Sequence, residues 1–306
     1  MNILITGSKG FVGSNIFNLL SREGFQIFDG SLSKTFSENN NRITVNSNFD
    51  ELLEGIDVVI HLAAKVHIMD TNASNATNYE LENTEITRLL GEAAIKANIK
   101  KFIFLSTIKV NGESTNLDSS FNEADVPNPT DRYSNSKYMA EEEIKRVFMD
   151  SQSSLIIIRP PLIYGPRVKG NFRNLIKIAN LNFPLPLGSI KNKRSLLSVY
   201  NLSDFIKAVL LFEDKLNETF ILSDGDDVST PEIIKAVAHS NNRTALIFPF
   251  PKAIIFLLAT LLGKKNYYHR ITENLRVDIS KSIRILGWHP PYNFSDSIKM
   301  TFNDEI

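Results

Sequence analysis

Three glycines at three-residue intervals, Gly7, Gly10 and Gly13, follow at once on the chain's first apolar run, in Thr6-Gly7-Ser8-Lys9-Gly10-Phe11-Val12-Gly13, and a helical pattern begins inside them. A strand that turns directly into a helix through glycine commits the N-terminus to an α/β layout. Without side chains the turn brings backbone N–H groups close to whatever lies above it, and an anion there also meets the positive end of the helix. A pyrophosphate is the expected occupant, with Gly7, Gly10, Phe11, Val12 and Gly13 around it. A tight turn without ligand is the plainer alternative. Placement between first strand and first helix favours the dinucleotide, although the spacing is the three-interval form and not G-x-G-x-x-G.

The pattern continues for half the chain. Short β-branched runs at 2–6, 25–28, 42–46, 57–62, 101–106 and 155–158 alternate with helical stretches at 12–21, 49–53, 83–97 and 134–149. Such alternation predicts a doubly wound parallel sheet covered by helices on both faces. After Arg159 the texture changes: Pro160, Pro161, Pro166, Pro184 and Pro186, with Gly165, Gly170 and Gly188 among them, are expected to interrupt regular elements. The expected division is a dinucleotide-binding domain at 1–165 and a smaller α/β region at 166–306, some of whose segments return to the first domain. A second strand ending near Asp29 would place a carboxylate where a ribose 2′-hydroxyl binds, which favours NAD; Ser31, Ser33 and Lys34 close behind leave NADP open.

Charge narrows the partners. Lys and Arg number 34, as do Asp and Glu, and no basic run breaks the balance, so nucleic acid is not an expected partner. There is no Cys, hence no disulfide and no thiolate metal site, in keeping with a reducing cytoplasm. The longest apolar stretch, 253–262, is too short to span a membrane. It is expected to form a helix packed on the second region, with contact to a membrane surface as the alternative. His61 lies on a buried-looking strand and is expected to be a core residue; Lys65 and His67 follow it. No metal site is expected.

Tyr133 stands four residues before Lys137 at the start of a helical pattern, so both side chains share a face. A phenol near its ordinary pKa of about 10 is a poor base, and an ammonium beside it favours the phenolate. The alternative is an aromatic ring beside a snorkelling chain. Thr107 sits at the carboxyl end of an apolar strand, where parallel sheets bind ligands, and its hydroxyl could meet a substrate oxygen.

Gly7, Gly10 and Gly13, the run His61-Leu62-Ala63-Ala64, Ser106-Thr107, Tyr133 with Lys137, and Arg159-Pro160-Pro161-Leu162-Ile163-Tyr164-Gly165-Pro166 together resemble the extended short-chain dehydrogenase/reductases, in their nucleotide-sugar 4-epimerase and reductase branch. The resemblance implies Tyr133 as acid/base, Lys137 on the nicotinamide ribose and tuning Tyr133, and Thr107 orienting the sugar. It also implies cofactor contacts at Asp29, Leu62, Ala63, Ala64, Asn83 and Pro160, and diphosphate contacts at Asn171 and Arg194. Arg270 is a further phosphate candidate, since a guanidinium matches phosphate geometry. A UDP-sugar substrate and a homodimer pairing helices 83–97 and 134–149 across a two-fold axis follow from the same resemblance.

Departures shape the substrate. Ile108 and Lys109 occupy the places of the Asp-Glu pair of the sugar 4,6-dehydratases, so no carboxylates stand ready to remove water. Asn111-Gly112 replaces the Tyr-Gly of galactose epimerases, and Leu162 replaces an expected Asn. The stretches at 106–113, 170–172 and 184–188 look most like bacterial surface-polysaccharide enzymes. The expectation is 4-epimerisation of a UDP-hexose or UDP-N-acetylhexosamine. A 4-ketoreductase making UDP-N-acetylquinovosamine is the alternative, and a non-catalytic dinucleotide-sensing module is the third reading.

Overall fold

The computed structural model describes residues 1–30, 47–63, 73–181 and 183–303, and for 73–82 the backbone alone. Its strands are β1 (Asn2–Thr6), β2 (Gln26–Asp29), β3 (Val58–His61), β4 (Lys101–Leu105), β5 (Ser154–Arg159), β6 (Leu162–Tyr164), β7 (Arg194–Ser198), β8 (Asn217–Ile221) and β9 (Asp227–Val228). Its helices are α1 (Phe11–Arg22), α2 (Phe49–Leu52), α3 (Ala73–Lys96), α4 (Arg132–Phe148), α5 (Gly170–Ala179), α6 (Val199–Leu211), α7 (Thr230–Ser240), α8 (Lys252–Leu261), α9 (Lys265–Thr272), α10 (Ser280–Leu286) and α11 (Phe294–Asn303).

One parallel sheet runs β2-β1-β3-β4-β5-β8, the doubly wound arrangement expected. Its inner strands β1, β3, β4 and β5 read as apolar runs because both their faces are covered. Alternate residues divide between them: Ile3, Ile5, Val58, Ile60, Ile156 and Ile158 pack with Ile16 and Leu20 of α1 and Phe205 and Val209 of α6. Leu4, Val59, Phe102, Phe104 and Ile157 pack with Leu90 and Ala94 of α3 and Ala140, Ile144 and Phe148 of α4. The apolar stripes of α3 and α4 thus cover the chain's own sheet. The strand expected at 42–46 lies outside the described residues.

In the second half the prolines interrupt the regular elements, as expected: Pro160 and Pro161 separate β5 from β6, which with β7 and β9 forms a second sheet. Proline lacks a ladder donor but fits a bend between strands. β8, whose Asn217-Glu218-Thr219-Phe220-Ile221 carries only a short apolar end, joins the main sheet beside β5 through its buried Phe220 and Ile221. Further, α8 buries no residue. Among the described residues it packs chiefly on α9, Phe256 meeting Tyr268 with ring centroids 5.2 Å apart, so the helix expected to pack on the second region touches it through α9 and turns much of its apolar face outward.

Candidate active site

Of the expected cofactor residues, Gly7, Gly10, Phe11, Val12, Gly13, Asp29, Leu62 and Ala63 stand at or just beyond the carboxyl ends of β1, β2 and β3, while Asn83 lies on α3, Tyr133 and Lys137 on α4 and Pro160 after β5. Gly7 has φ +76°, and a Cβ there would stand 2.8 Å from the Ala63 nitrogen; a Cβ on Gly13 would stand 2.1 Å from the Gly7 oxygen. Glycine is required at both by contact with backbone. Gly10 caps α1 with its backbone alone, and the first turn holds no acidic side chain, so the positive helix end is open to an anion. Val12 packs on the sheet core and Phe11 on the core of the second region. Half-buried Leu62 donates its N–H to the Thr6 carbonyl at 3.1 Å. Asp29 ends β2, one residue beyond the expected strand, and accepts from the Ser8 hydroxyl. A carboxylate there suits a ribose hydroxyl and repels a 2′-phosphate. The side-chain-free cradle and open helix end fit a dinucleotide. Ser31, Ser33, Lys34, Ala64, Lys65 and His67 lie outside the described residues.

His61 is a satisfied core residue, as expected. Its Nδ1 accepts from the Thr6 hydroxyl at 2.7 Å, and its Nε2 lies 3.0 Å from Thr87 Oγ1, whose own proton goes to the Asn83 carbonyl at 2.8 Å. That chain assigns the ring proton to Nε2. Burial, with the charge of Lys137 second, pushes the His61 pKa down to about 3, so the ring stays neutral. Asn83 is itself buried.

Lys137 is buried on α4, its Nζ donating to the Leu105 carbonyl at 2.7 Å and lying 4.6 Å from the Phe104 ring centroid. The ammonium therefore sits two residues before Thr107 along the chain. Burial pushes its pKa down to about 7, while Glu141 one turn on works in the opposite direction. Tyr133, half-buried in the first turn of α4, lies one turn before Lys137. The helix starts where it does because the Asp131 side chain accepts from Ser134 N at 2.7 Å while Asp131 N donates back to the Ser134 hydroxyl oxygen at 3.1 Å, a reciprocal cap. Buried Thr107 opens a 3-10 turn at Ile108–Val110, which Ile108 N ties to the buried Pro160 carbonyl at 2.9 Å.

Two features beneath this triad escaped sequence reasoning. Lys109 bridges Asp131 at 2.6 Å and Glu113 at 2.7 Å, joining the turn of Thr107 to the cap of the Tyr133 helix. Fully buried Glu141 accepts from Ser106 Oγ at 2.5 Å and pairs with Arg159, whose Nη2 lies 2.5 Å away; Arg159 Nη1 reaches Asn111 Oδ1 at 3.0 Å. The signal was there in part: Glu141 stands four residues after Lys137, an acid on a buried stripe.

The expected substrate contacts lie across the second region. Asn171 is exposed in the first turn of α5. Arg194 opens β7, half-buried, its Nη1 donating to the Glu273 carbonyl at 3.1 Å, and burial lowers its pKa. Arg270 is exposed on α9 beside the Tyr267 ring, so it is Glu273, three residues on, that touches Arg194.

The family model described as "NAD dependent epimerase/dehydratase family" matches residues 3–222. A UDP-glucose 4-epimerase of Vibrio cholerae is 37% identical over 308 residues, covering 98% of this chain and 94% of its own. An N-acetyl-alpha-D-glucosaminyl-diphospho-ditrans,octacis-undecaprenol 4-epimerase of Escherichia coli O157:H7 is 27% identical over 323 residues, covering 100% and 95%. The crystal structure of a UDP-glucuronic acid 4-epimerase from Bacillus cereus in complex with NAD superposes with TM-score 0.75 at 22% identity, covering 99% of this chain and 96% of that one. With a cradle that fits the dinucleotide and a match over most of its length, the chain belongs to the NAD dependent epimerase/dehydratase family and is an NAD-dependent enzyme of nucleotide-sugar epimerase type.

Proposed function

We propose that the enzyme interconverts configuration at C4 of a UDP-linked hexose or N-acetylhexosamine, in the cytoplasm and toward surface polysaccharide. The observation that carries this reading is the placement of Lys137 against Leu105 O, which brings the ammonium to the strand end bearing Thr107 while Tyr133 stands one turn away on the same helix. The 37% identity to a UDP-glucose 4-epimerase supports the sugar and the reaction.

In this reading Tyr133 Oη takes the proton of the C4 hydroxyl as hydride leaves C4, and returns it once hydride is delivered to the other face of the turned 4-keto sugar. Thr107 holds the C4 oxygen by a hydrogen bond. Lys137 favours the phenolate through its charge and holds the nicotinamide ribose. NAD, when bound, supplies the acceptor and donor for that hydride, held by Gly7, Gly10, Phe11, Val12, Gly13, Asp29, Leu62, Ala63, Asn83 and Pro160. Asn171 and Arg194 hold the diphosphate, with Arg270 as the outer candidate. A homodimer pairing α3 and α4 across a two-fold axis belongs to this reading, and light scattering at micromolar concentration should give twice the 34.5 kDa of the chain.

Tyr133→Phe should lower turnover of UDP-sugars by about two orders of magnitude or more while leaving NAD affinity nearly unchanged. Near-normal turnover would remove Tyr133 from the chemistry. Net consumption of reduced cofactor during turnover by the unaltered enzyme would replace epimerisation with reduction.

A further inference from the structure

Residues 233–272 hold six Lys or Arg and no Asp or Glu, in a chain where the two kinds number 34 each. Within this stretch α8 and α9 fold back on one another through Gly263, at φ +67°. Ile254, Leu257, Leu258 and Leu261 follow the i, i+3, i+4, i+7 spacing of a helix face made for burial, yet they are 44, 57, 50 and 74% exposed. Leu262 extends the patch at 73%. Lys252, Lys264 and Lys265 are exposed around it, the last two with Nζ 5.3 and 5.8 Å from the ring centroids of Tyr267 and Phe256.

We propose that the α8–α9 hairpin docks this enzyme on an anionic lipid surface. An outward apolar stripe of about 15 Å, rimmed by lysines and free of carboxylates, matches the requirements of a helix lying in the headgroup layer: apolar side chains reach the acyl boundary while ammonium groups meet lipid phosphates. Among the described residues no helix is long and apolar enough to cross a membrane, so the contact is one of lying on the surface. A second copy is the poorer occupant, because a two-fold pairing of this face would set lysines against lysines, with no Asp or Glu in α8 or α9 to pair them.

The hairpin also touches the substrate region: His269 of α9 pairs with the Glu273 side chain at 2.6 Å, and the Glu273 carbonyl holds Arg194. Docking would therefore put the proposed diphosphate end of the site beside the bilayer.

Sedimentation with vesicles tests this. The full chain should bind vesicles of mixed phosphatidylcholine and phosphatidylglycerol, bind pure phosphatidylcholine at least about tenfold more weakly, and lose binding as salt rises. Leu257→Glu with Leu261→Glu should abolish binding, and Lys264→Glu with Lys265→Glu should weaken it at least about tenfold, with the native fluorescence of Trp288 unchanged in both. No binding of the unaltered chain to the mixed vesicles would overturn the proposal. So would equal binding by folded variants, or a change from dimer to monomer in the leucine variant, which would make the face an interface between copies.

Discussion

Each half of the molecule buries a carboxylate beneath its part of the site, and the two are held in opposite ways. Glu141, under Thr107, has a guanidinium: Arg159 meets both its oxygens, and Ser106 fills the remaining position. Asp224, under the junction of β6 and β7, has only neutral donors: the Tyr164 hydroxyl at 2.7 Å, Ser198 N at 2.8 Å and Asn201 Nδ2 at 2.7 Å. Burial raises the Asp224 pKa to about 6, against the lowering effect of those hydrogen bonds. Neutral donors thus orient a buried carboxylate without fully replacing water, whereas a cation compensates its charge. The half proposed to do the chemistry fixes its strand ends with a charged clamp; the half proposed to hold the nucleotide uses a softer, titratable one.

If this contrast is right, Arg159→Met should be the more damaging change. It leaves Glu141 buried without its strongest partner and should cost about 3–5 kcal/mol. Urea unfolding followed through the only Trp, the buried Trp288, measures it. Adding Glu141→Leu to the same chain should restore most of the loss, since two apolar groups leave no uncompensated charge. A loss under about 1 kcal/mol for the single change would mean that Arg159 is not the main support of Glu141, and the contrast would fail.

The sheet was legible because its cause is local. Apolar runs such as Phe102-Ile103-Phe104-Leu105 have no reading but a strand covered on both faces, and Gly7 and Gly13 mark the contacts that exclude a Cβ. The Tyr133 and Lys137 spacing was legible for the same reason. β8 was not, because Asn217 to Thr219 take their place from the neighbouring β5 rather than from their own pattern. The Glu141–Arg159 pair was hidden by a separation of 18 residues, and that of Asp224 from Tyr164 is 60. The outward face of α8 was hidden differently: its stripe is that of a packed helix, and only tertiary placement shows that nothing in the described chain covers it.

Asp224→Asn probes the softer clamp and should have the smaller effect, one that depends on pH. In the unfolded chain an Asp releases its proton near 3.8, whereas folded Asp224 keeps it up to about 6. Between these values the folded state binds more protons than the unfolded state, so this residue's contribution to stability is fully present below the lower value and declines as pH rises through the upper one. Asn has no proton to lose. The variant should therefore be less stable than the unaltered chain by about 1–3 kcal/mol below pH 4, the scale of a buried hydrogen-bond set, with the gap narrowing as pH rises through 6 and level above it. Parallel urea titrations of the two chains across that range isolate the term, because every other carboxylate cancels in the difference. A gap that widens with rising pH would mean that Asp224 is ionised throughout and that its neutral donors stabilise the charge as well as Arg159 stabilises Glu141.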